Sequence, residues 1–137
     1  MKSLYLVDAY ALMFKYYYAF LGRPMRNHAG MNTSVVFGVV QFLRDILKRE
    51  KPDLLGVAFD PKGGSFRRTI FPEYKANRSA TPEDIILSLP YVKRILEAMC
   101  IPILEVEGYE ADDVIGTLSH KGAEAGYDVY MVTPDKD

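Results

Sequence analysis

The amino-acid sequence predicts an α/β fold, with a mainly parallel β-sheet and helices on both of its faces. Three observations lead to this fold class. Four short apolar runs do not alternate with polar residues, which is typical of strands covered on both faces. Apolar residues at helical spacing lie between these runs. Strand and helix therefore alternate along the chain, which favours parallel strands joined by right-handed crossovers.

The four apolar runs are the predicted strands, and they are rich in Val, Leu, Ile and Tyr. They comprise Leu4 to Val7, Leu54 to Phe59, Ile103 to Val106 and Val129 to Thr133. The segment after the first strand contains Tyr16-Tyr17-Tyr18. On a helix, some of three consecutive side chains must face the core, so we interpret these tyrosines as mainly structural.

Three further helices are predicted between the strands. The first has apolar residues at helical spacing from Val35 to Leu47, with Thr33 or Ser34 available as its N-cap. The second begins at Thr81-Pro82-Glu83-Asp84 and runs to Met99, with a bend or a restart expected at Pro90. The third ends near Gly122 or Gly126, and its apolar face carries Ala111, Val114, Ile115 and Leu118.

Length and composition limit the function classes. A chain of 137 residues with 49% apolar and 26% charged residues is typical of one globular domain. The net charge of −1 excludes a generally basic nucleic-acid binder, although a basic face is still possible. Cys100 has no cysteine partner, and no apolar run approaches the roughly 18 residues of a membrane span. We therefore expect a cytoplasmic protein without a membrane partner.

Acidic residues follow all four predicted strands. They are Asp8, Asp60, then Glu107, Glu110, Asp112 and Asp113, and finally Asp135 and Asp137. Ligands of open parallel sheets bind at the carboxyl ends of the strands, so we expect these acids to converge on one edge. Converging carboxylates repel unless some are protonated or cations neutralise them. Oxygen ligands select hard cations, which predicts Mg²⁺ or Mn²⁺, and the lack of nearby His or Cys argues against zinc.

A simpler interpretation exists for each acid taken singly. An Asp after a strand is common turn chemistry, and acids at 110 to 113 suit the positive end of a helix. His28 and His120 are expected to face solvent or to be structural.

The stretch from 61 to 80 has no clear helix or strand period and is locally basic. One acid, Glu73, stands against five basic residues, namely Lys62, Arg67, Arg68, Lys75 and Arg78. Aromatic residues, including Tyr74, lie between them. Basic side chains contact phosphates and aromatic faces stack on unpaired bases. A basic loop next to an acidic metal site therefore predicts phosphodiester chemistry.

Seven segments covering nearly the whole chain in order carry a family resemblance. They are Val7-Asp8, Phe14-Lys15, Ala58 to Gly63, Phe66-Arg67, Pro72 to Arg78, Gly108 to Leu118 and Thr133 to Asp137. Together they resemble the 5′-nuclease domain of bacterial DNA polymerase I, in the flap endonuclease group. The resemblance implies a three-layer, PIN-like (Rossmann-like) fold. It also implies hydrolysis of DNA at 5′ flaps or 5′ ends during replication and repair.

The resemblance also implies roles for individual residues. The first of two Mg²⁺ or Mn²⁺ ions would be held by Asp8, Asp60, Glu110 and Asp112 with Asp113 beside them, and the second by Asp135 and Asp137. Lys75 and Arg78 resemble the basic pair of an arch that receives the cut strand and, with Asp8, carry the catalytic roles. The implied DNA contacts are Lys15, Lys62, Arg67, Arg68, Tyr74, Lys75 and Arg78.

Two features differ from the family pattern. Ala9, Lys15 and Pro134 stand where the family usually has Gly, Arg and Gly, and Lys15 keeps the charge without bidentate phosphate binding. Family members also continue beyond the position that matches Asp137, with more acids and a helical DNA-binding element. We therefore expect residues 1–137 to be the N-terminal PIN-like part of the domain, which folds and binds metal but cleaves DNA poorly alone. A polymerase domain in the same native chain is a possible partner, and the oligomeric state is open.

Three alternatives remain at this point. The first is a PIN-type ribonuclease, which would use the same carboxylates to cleave RNA instead of DNA. A non-catalytic nucleic-acid-binding module is the second alternative, because the second metal site is incomplete in this sequence. The third is a phosphatase with an aspartyl nucleophile, or a response receiver, and neither explains the basic loop. Tyr10 also stands where the phosphatase needs a second Asp.

Overall fold

The computed structural model describes residues 2–60 and 82–132. The strands are β1 (Ser3–Asp8), β2 (Leu54–Ala58), β3 (Ile103–Leu104) and β4 (Asp128–Val132). The helices are α1 (Ala9–Ala19), α2 (Ser34–Asp45), α3 (Glu83–Ala98) and α4 (Ala111–Glu124), and a π-helical turn (Ile46–Glu50) extends α2. Within this part of the chain, no helix is both long and apolar enough to cross a membrane.

The four strands form one sheet in the order β3-β2-β1-β4, and every pairing is parallel. The predicted fold class is therefore confirmed. β1 lies centrally, with Asp8 opposite Ala58 of β2 and Val7 opposite Val132 of β4. This register brings the carboxyl ends of β1 and β2 level with each other, so the residues that follow them leave the sheet at the same edge.

Alternate residues of the strands face two different cores, which accounts for the three layers. Tyr5 and Val7 of β1 point into the larger core, to which α1, α2 and α3 contribute their apolar faces. Leu6 points the other way, into a smaller core with Ala111 and Ile115 of α4. Helices therefore lie on both faces of the sheet at β1, as the apolar runs predicted. For β4 the prediction of a buried strand is wrong, because Tyr130 is 47% and Met131 61% exposed.

Helices α1 and α2 approach each other closely at Gly38. A methyl group added to this glycine would overlap the ring of Tyr16. Tyr16 and Tyr17 pack against the larger core, whereas Tyr18 is 60% exposed. Two of the three consecutive tyrosines are thus structural, as predicted.

Helix α3 is continuous through Pro90, which lies on the exposed side, where the freed carbonyl of Ile86 can bond to water. Of the bend or restart expected there, the restart does not occur and the bend stays a prediction. One strand boundary needs correction. Strand β3 ends at Leu104 rather than Val106, because Glu105 turns towards Lys93 and Val106 is 45% exposed. Helix α3 begins at Glu83 with Pro82 as its N-cap, and Thr81 and the basic segment 61–80 lie outside the described residues.

Candidate functional site

Three elements meet at the carboxyl edge of β1 and β2. Asp8 is the last residue of β1 and the N-cap of α1, and its Oδ1 accepts a hydrogen bond of 3.2 Å from the Ala11 amide. Asp60 follows β2 by two residues, and its Oδ1 accepts a 2.8 Å hydrogen bond from the amide of Ala111, the first residue of α4. Both carboxylates are thus fixed by backbone amides at helix N-termini, where the helix dipole favours negative charge.

The electrostatics of Asp8 show that carboxylates gather here. Its pKa is raised from the usual 3.8 to about 6, chiefly because the side chain is largely buried. The Ala11 hydrogen bond opposes this rise, and the negative charges of Asp112 and Asp60 and a side-chain hydrogen bond with Asp112 add to it. The structure thus brings together Asp8, Asp60 and Asp112, which come from β1, the end of β2 and α4.

Two more predicted ligands, Glu110 and Asp113, begin α4 as a reciprocal capping box. The Asp113 side chain accepts a 3.0 Å hydrogen bond from the Glu110 amide, and the Glu110 side chain accepts one from the Asp113 amide. Glu110 is buried, with 9% of its surface exposed. These acids therefore stabilise the helix start, and their role as metal ligands stays a prediction.

The donor set fits a hard cation in chemistry, because it consists of carboxylate oxygens alone. Its arrangement is loose, however. Over residues 2–60 and 82–132, no three Asp, Glu, His or Cys side chains are grouped closely enough to hold a metal ion. The carboxylates are therefore near enough to shift a pKa without forming a ready cage, and Asp135 and Asp137 lie outside the described residues.

The remaining predicted residues fall into two groups. Lys15 is exposed on α1, with its ammonium 5.6 Å from the centre of the Tyr16 ring. The predicted contacts of the basic segment lie outside the described residues, and they are Lys62, Arg67, Arg68, Tyr74, Lys75 and Arg78. His28 and His120 are exposed, and His120 lies 2.7 Å from Glu124, so both face solvent as expected.

Sequence reasoning missed a second cluster at this edge, built around the fully buried ring of Phe59. The Tyr10 ring meets it edge-on, with 6.4 Å between ring centres, and the Lys93 Nζ lies 5.1 Å from its centre. Lys93 also forms a 2.7 Å ion pair with Glu105. The pKa of Tyr10 is raised, first by burial and then by the charges of Asp60 and Glu105. The sequence around Lys93 is that of an ordinary amphipathic helix, so it does not predict that this lysine contacts Phe59 and Glu105.

Comparisons with known proteins agree with this geometry. The family model described as the 5′-3′ exonuclease, N-terminal resolvase-like domain matches residues 3–137. DNA polymerase I of Synechocystis sp. is 42% identical over 137 residues, which cover 98% of this chain and 14% of the relative. The 5′-3′ exonuclease of Aquifex aeolicus is 35% identical over 137 residues, which cover 100% of this chain and 47% of the relative. The chain thus spans about a seventh to a half of these relatives.

Solved structures show the same fold. A bacteriophage T5 flap endonuclease in a pseudo-enzyme-product complex with DNA and metal ions superposes with a TM-score of 0.73 at 21% identity, covering 98% of this chain and 50% of that one. The T5 5′-exonuclease with bound zinc superposes with a TM-score of 0.67 at 24% identity, covering 98% and 49%. The PIN-like architecture expected from the sequence is therefore confirmed.

Proposed function

Because this chain belongs to the family of 5′-3′ exonuclease N-terminal resolvase-like domains, we propose that it is the carboxylate-bearing part of a DNA-hydrolysing nuclease. The reaction is cleavage of phosphodiester bonds at 5′ ends or 5′ flaps. The observation that carries the proposal is the convergence of Asp8, Asp60 and Asp112 at one edge of a parallel sheet. Carboxylates that destabilise one another's charge need a compensating cation, and a divalent cation is what phosphodiester hydrolysis uses.

Mg²⁺ or Mn²⁺ is the proposed cofactor, with two ions in a complete domain. Asp8, Asp60 and Asp112 would hold the first ion, joined by Glu110 and Asp113 after rearrangement of the capping box. Asp135 and Asp137 would hold the second. A divalent cation supplies activation of water and neutralisation of charge on the scissile phosphate. The zinc in one T5 5′-exonuclease structure belongs to that protein, and the all-oxygen donor set here favours harder ions.

Two kinds of residue act in the proposed reaction: carboxylates that bind the cation and basic residues that bind the DNA. Burial raises the pKa of Asp8 to about 6, so its carboxyl is mostly but not fully ionised at neutral pH. Lys75 and Arg78 would contact the phosphates of the cut strand, with Arg67, Arg68, Lys62 and Tyr74 as further DNA contacts. Lys15 would reach DNA from α1 after leaving the Tyr16 ring.

The proposed partner is DNA with a 5′ flap or a free 5′ end. Because relatives that match over 98% of this chain are DNA polymerase I, a polymerase domain is the proposed neighbour in the native protein, at a cytoplasmic location. The domain assignment, with residues 1–137 as the N-terminal PIN-like part and 61–80 as an arch-like loop, belongs to the same proposal.

The test is single-turnover cleavage of a 5′-labelled flap DNA, at high protein concentration, with Mg²⁺, Mn²⁺ or EDTA. We expect slow, metal-dependent cleavage that Asp8→Asn abolishes. Asp45→Asn is the matched control, since it removes an exposed carboxylate from the end of α2. Cleavage that persists in EDTA, or in Asp8→Asn, would contradict the proposal. Faster cleavage of an RNA flap of the same sequence would favour a PIN-type ribonuclease instead.

One observation favours a second candidate, a nucleic-acid-binding module without catalysis. The described acids form no group of three that is tight enough for a metal ion. For such a module we expect binding of flap DNA that divalent ions and Asp8→Asn leave unchanged. Isothermal titration with Mn²⁺ decides between the two candidates, because the nuclease predicts binding of Mn²⁺ that is lost in Asp8→Asn.

A further inference from the structure

The ion pair between Lys93 and Glu105 lies at the carboxyl edge of the sheet but apart from the Asp8 cluster. Lys93 belongs to α3, and Glu105 directly follows β3, the edge strand beside β2. The distance from Nζ to Oε1 is 2.7 Å, and the two side chains are 27% and 31% exposed. The pair is therefore neither in the core nor free in solvent.

Two contacts fix the position of the Lys93 ammonium. Its partner Glu105 holds it from one side, and the face of the Phe59 ring, 5.1 Å from Nζ, supports it from below. Phe59 has no exposed surface and directly precedes Asp60. A cation over a rigid aromatic face is held more precisely than a lysine on an open helix surface. The positive charge thus lies beside the carboxylate edge, on the side of β2 and β3.

The carboxylates near the Lys93 ammonium indicate a function for its positive charge. Asp8, Asp60 and Asp112 face the same edge, and a nucleic-acid backbone that approaches them meets repulsion. An ion pair that is about 30% exposed adds little to folding stability, because solvent screens it and ordering two long side chains costs entropy. The carboxylate of Glu105 also resembles a phosphate, since both offer anionic oxygens to an ammonium.

We propose that Lys93 contacts a backbone phosphate of the nucleic-acid strand beside Asp60, and that Glu105 occupies the phosphate's place until the strand binds. The inference rests on the proposed function and adds a residue that positions the substrate from α3, outside the basic segment. On binding, the Lys93 ammonium exchanges the Glu105 carboxylate for the phosphate, and Glu105 turns to solvent.

The test is the affinity for a fluorescent 5′-flap DNA, measured by anisotropy over a range of salt concentrations with Ca²⁺ in place of Mg²⁺. Lys93→Met keeps the aliphatic stem over Phe59 and removes the charge. It should weaken binding several-fold and reduce the slope of log affinity against log salt by about 1. Glu105→Gln frees the ammonium and removes an anion, so it should tighten binding several-fold. Lys93→Arg should keep most of the affinity.

Lys121→Met is the matched control, because Lys121 is exposed in the last turn of α4, about 15 Å along the helix from its start. It should leave affinity and slope as in the wild type. If Lys93→Met and Glu105→Gln change only the melting temperature, the pair is structural and this inference is wrong while the proposed function stands. If the wild-type chain binds no flap DNA, the proposed function fails and this inference fails with it.

Discussion

Replacing Asp8 by Asn is expected to stabilise the metal-free protein at neutral and alkaline pH. In the folded protein the Asp8 carboxyl has a pKa of about 6, against 3.8 when it is unperturbed. The folded state therefore holds this proton more tightly than the unfolded state. Because the unfolded state loses its proton first, stability falls as the pH rises from about 4 and levels off above about 7. An asparagine carries no such proton, so its contribution does not change with pH.

The size of the effect follows from the pKa. A difference of about 2 between folded and unfolded states corresponds to about 3 kcal/mol once the group is fully ionised. Asp8 is partly exposed, and water screens part of this cost, so we expect a gain of about 1–2 kcal/mol for Asp8→Asn at about pH 8. Near pH 4 the two proteins should be equally stable. Asparagine also preserves the acceptor for the Ala11 amide, since Asn and Asp are similar N-caps.

Urea unfolding in EDTA from about pH 4 to about pH 8 measures the gain, with Asp45→Asn as the control for loss of one negative charge. A second series with Mg²⁺ completes the experiment. The wild type should then recover stability by mass action, because the cation binds the folded state, and Asp8→Asn should not. A stability difference that stays constant across the pH range, or that favours the wild type at alkaline pH, would refute the electrostatic reasoning.

Three further outcomes follow from local packing and capping. Gly38→Ala should lower the free energy of unfolding by about 1–3 kcal/mol, because the new methyl group would overlap the Tyr16 ring; an unchanged urea midpoint would contradict this. Gly116→Ala, at an exposed position of α4 with nothing within 4 Å of a Cβ, should raise stability by about 0.5–1 kcal/mol in the same titration. Asp113→Ala should cost about 1 kcal/mol and accelerate hydrogen exchange in the first turn of α4, since the Glu110 amide loses its acceptor; exchange at the wild-type rate would argue against the capping box.

Sequence patterns predicted the parallel sheet and the proximity of Asp8, Asp60 and Asp112, because both depend on local signals. The apolar runs of β1 and β2 identify strands with buried residues, and the acids that directly follow the runs, Asp8 and Asp60, identify the edge. Because the crossovers make the strands parallel, acids that follow different strands are predicted to lie at the same edge of the sheet. Local patterns also marked the start of α4, where Glu110 and Asp113 suit either a helix cap or a cation. The structure has them as caps, and no pattern in one sequence distinguishes the two uses.

Long-range contacts accounted for what the sequence could not predict. Lys93 and Glu105 are twelve residues apart, on different elements, and only the packing of α3 against β3 brings them within 2.7 Å. The length of β3 depends on the same contact. The continuation of α3 through Pro90 depends on which side of the helix meets solvent, and that is fixed by the whole core rather than by neighbouring residues.

The Asp60 side chain has both a structural and a chemical role, because it accepts a hydrogen bond from the Ala111 amide. It joins the end of β2 to the beginning of α4, and it contributes negative charge to the edge where Asp8 lies. A substitution that removes the Asp60 acceptor, such as Asp60→Ala, therefore weakens the link between β2 and α4 and also removes a charge from this edge. Inactivity of such an Asp60 variant will report on architecture and reactivity together, whereas Asp112, which is exposed in the first turn of α4, is a better position for separating the two.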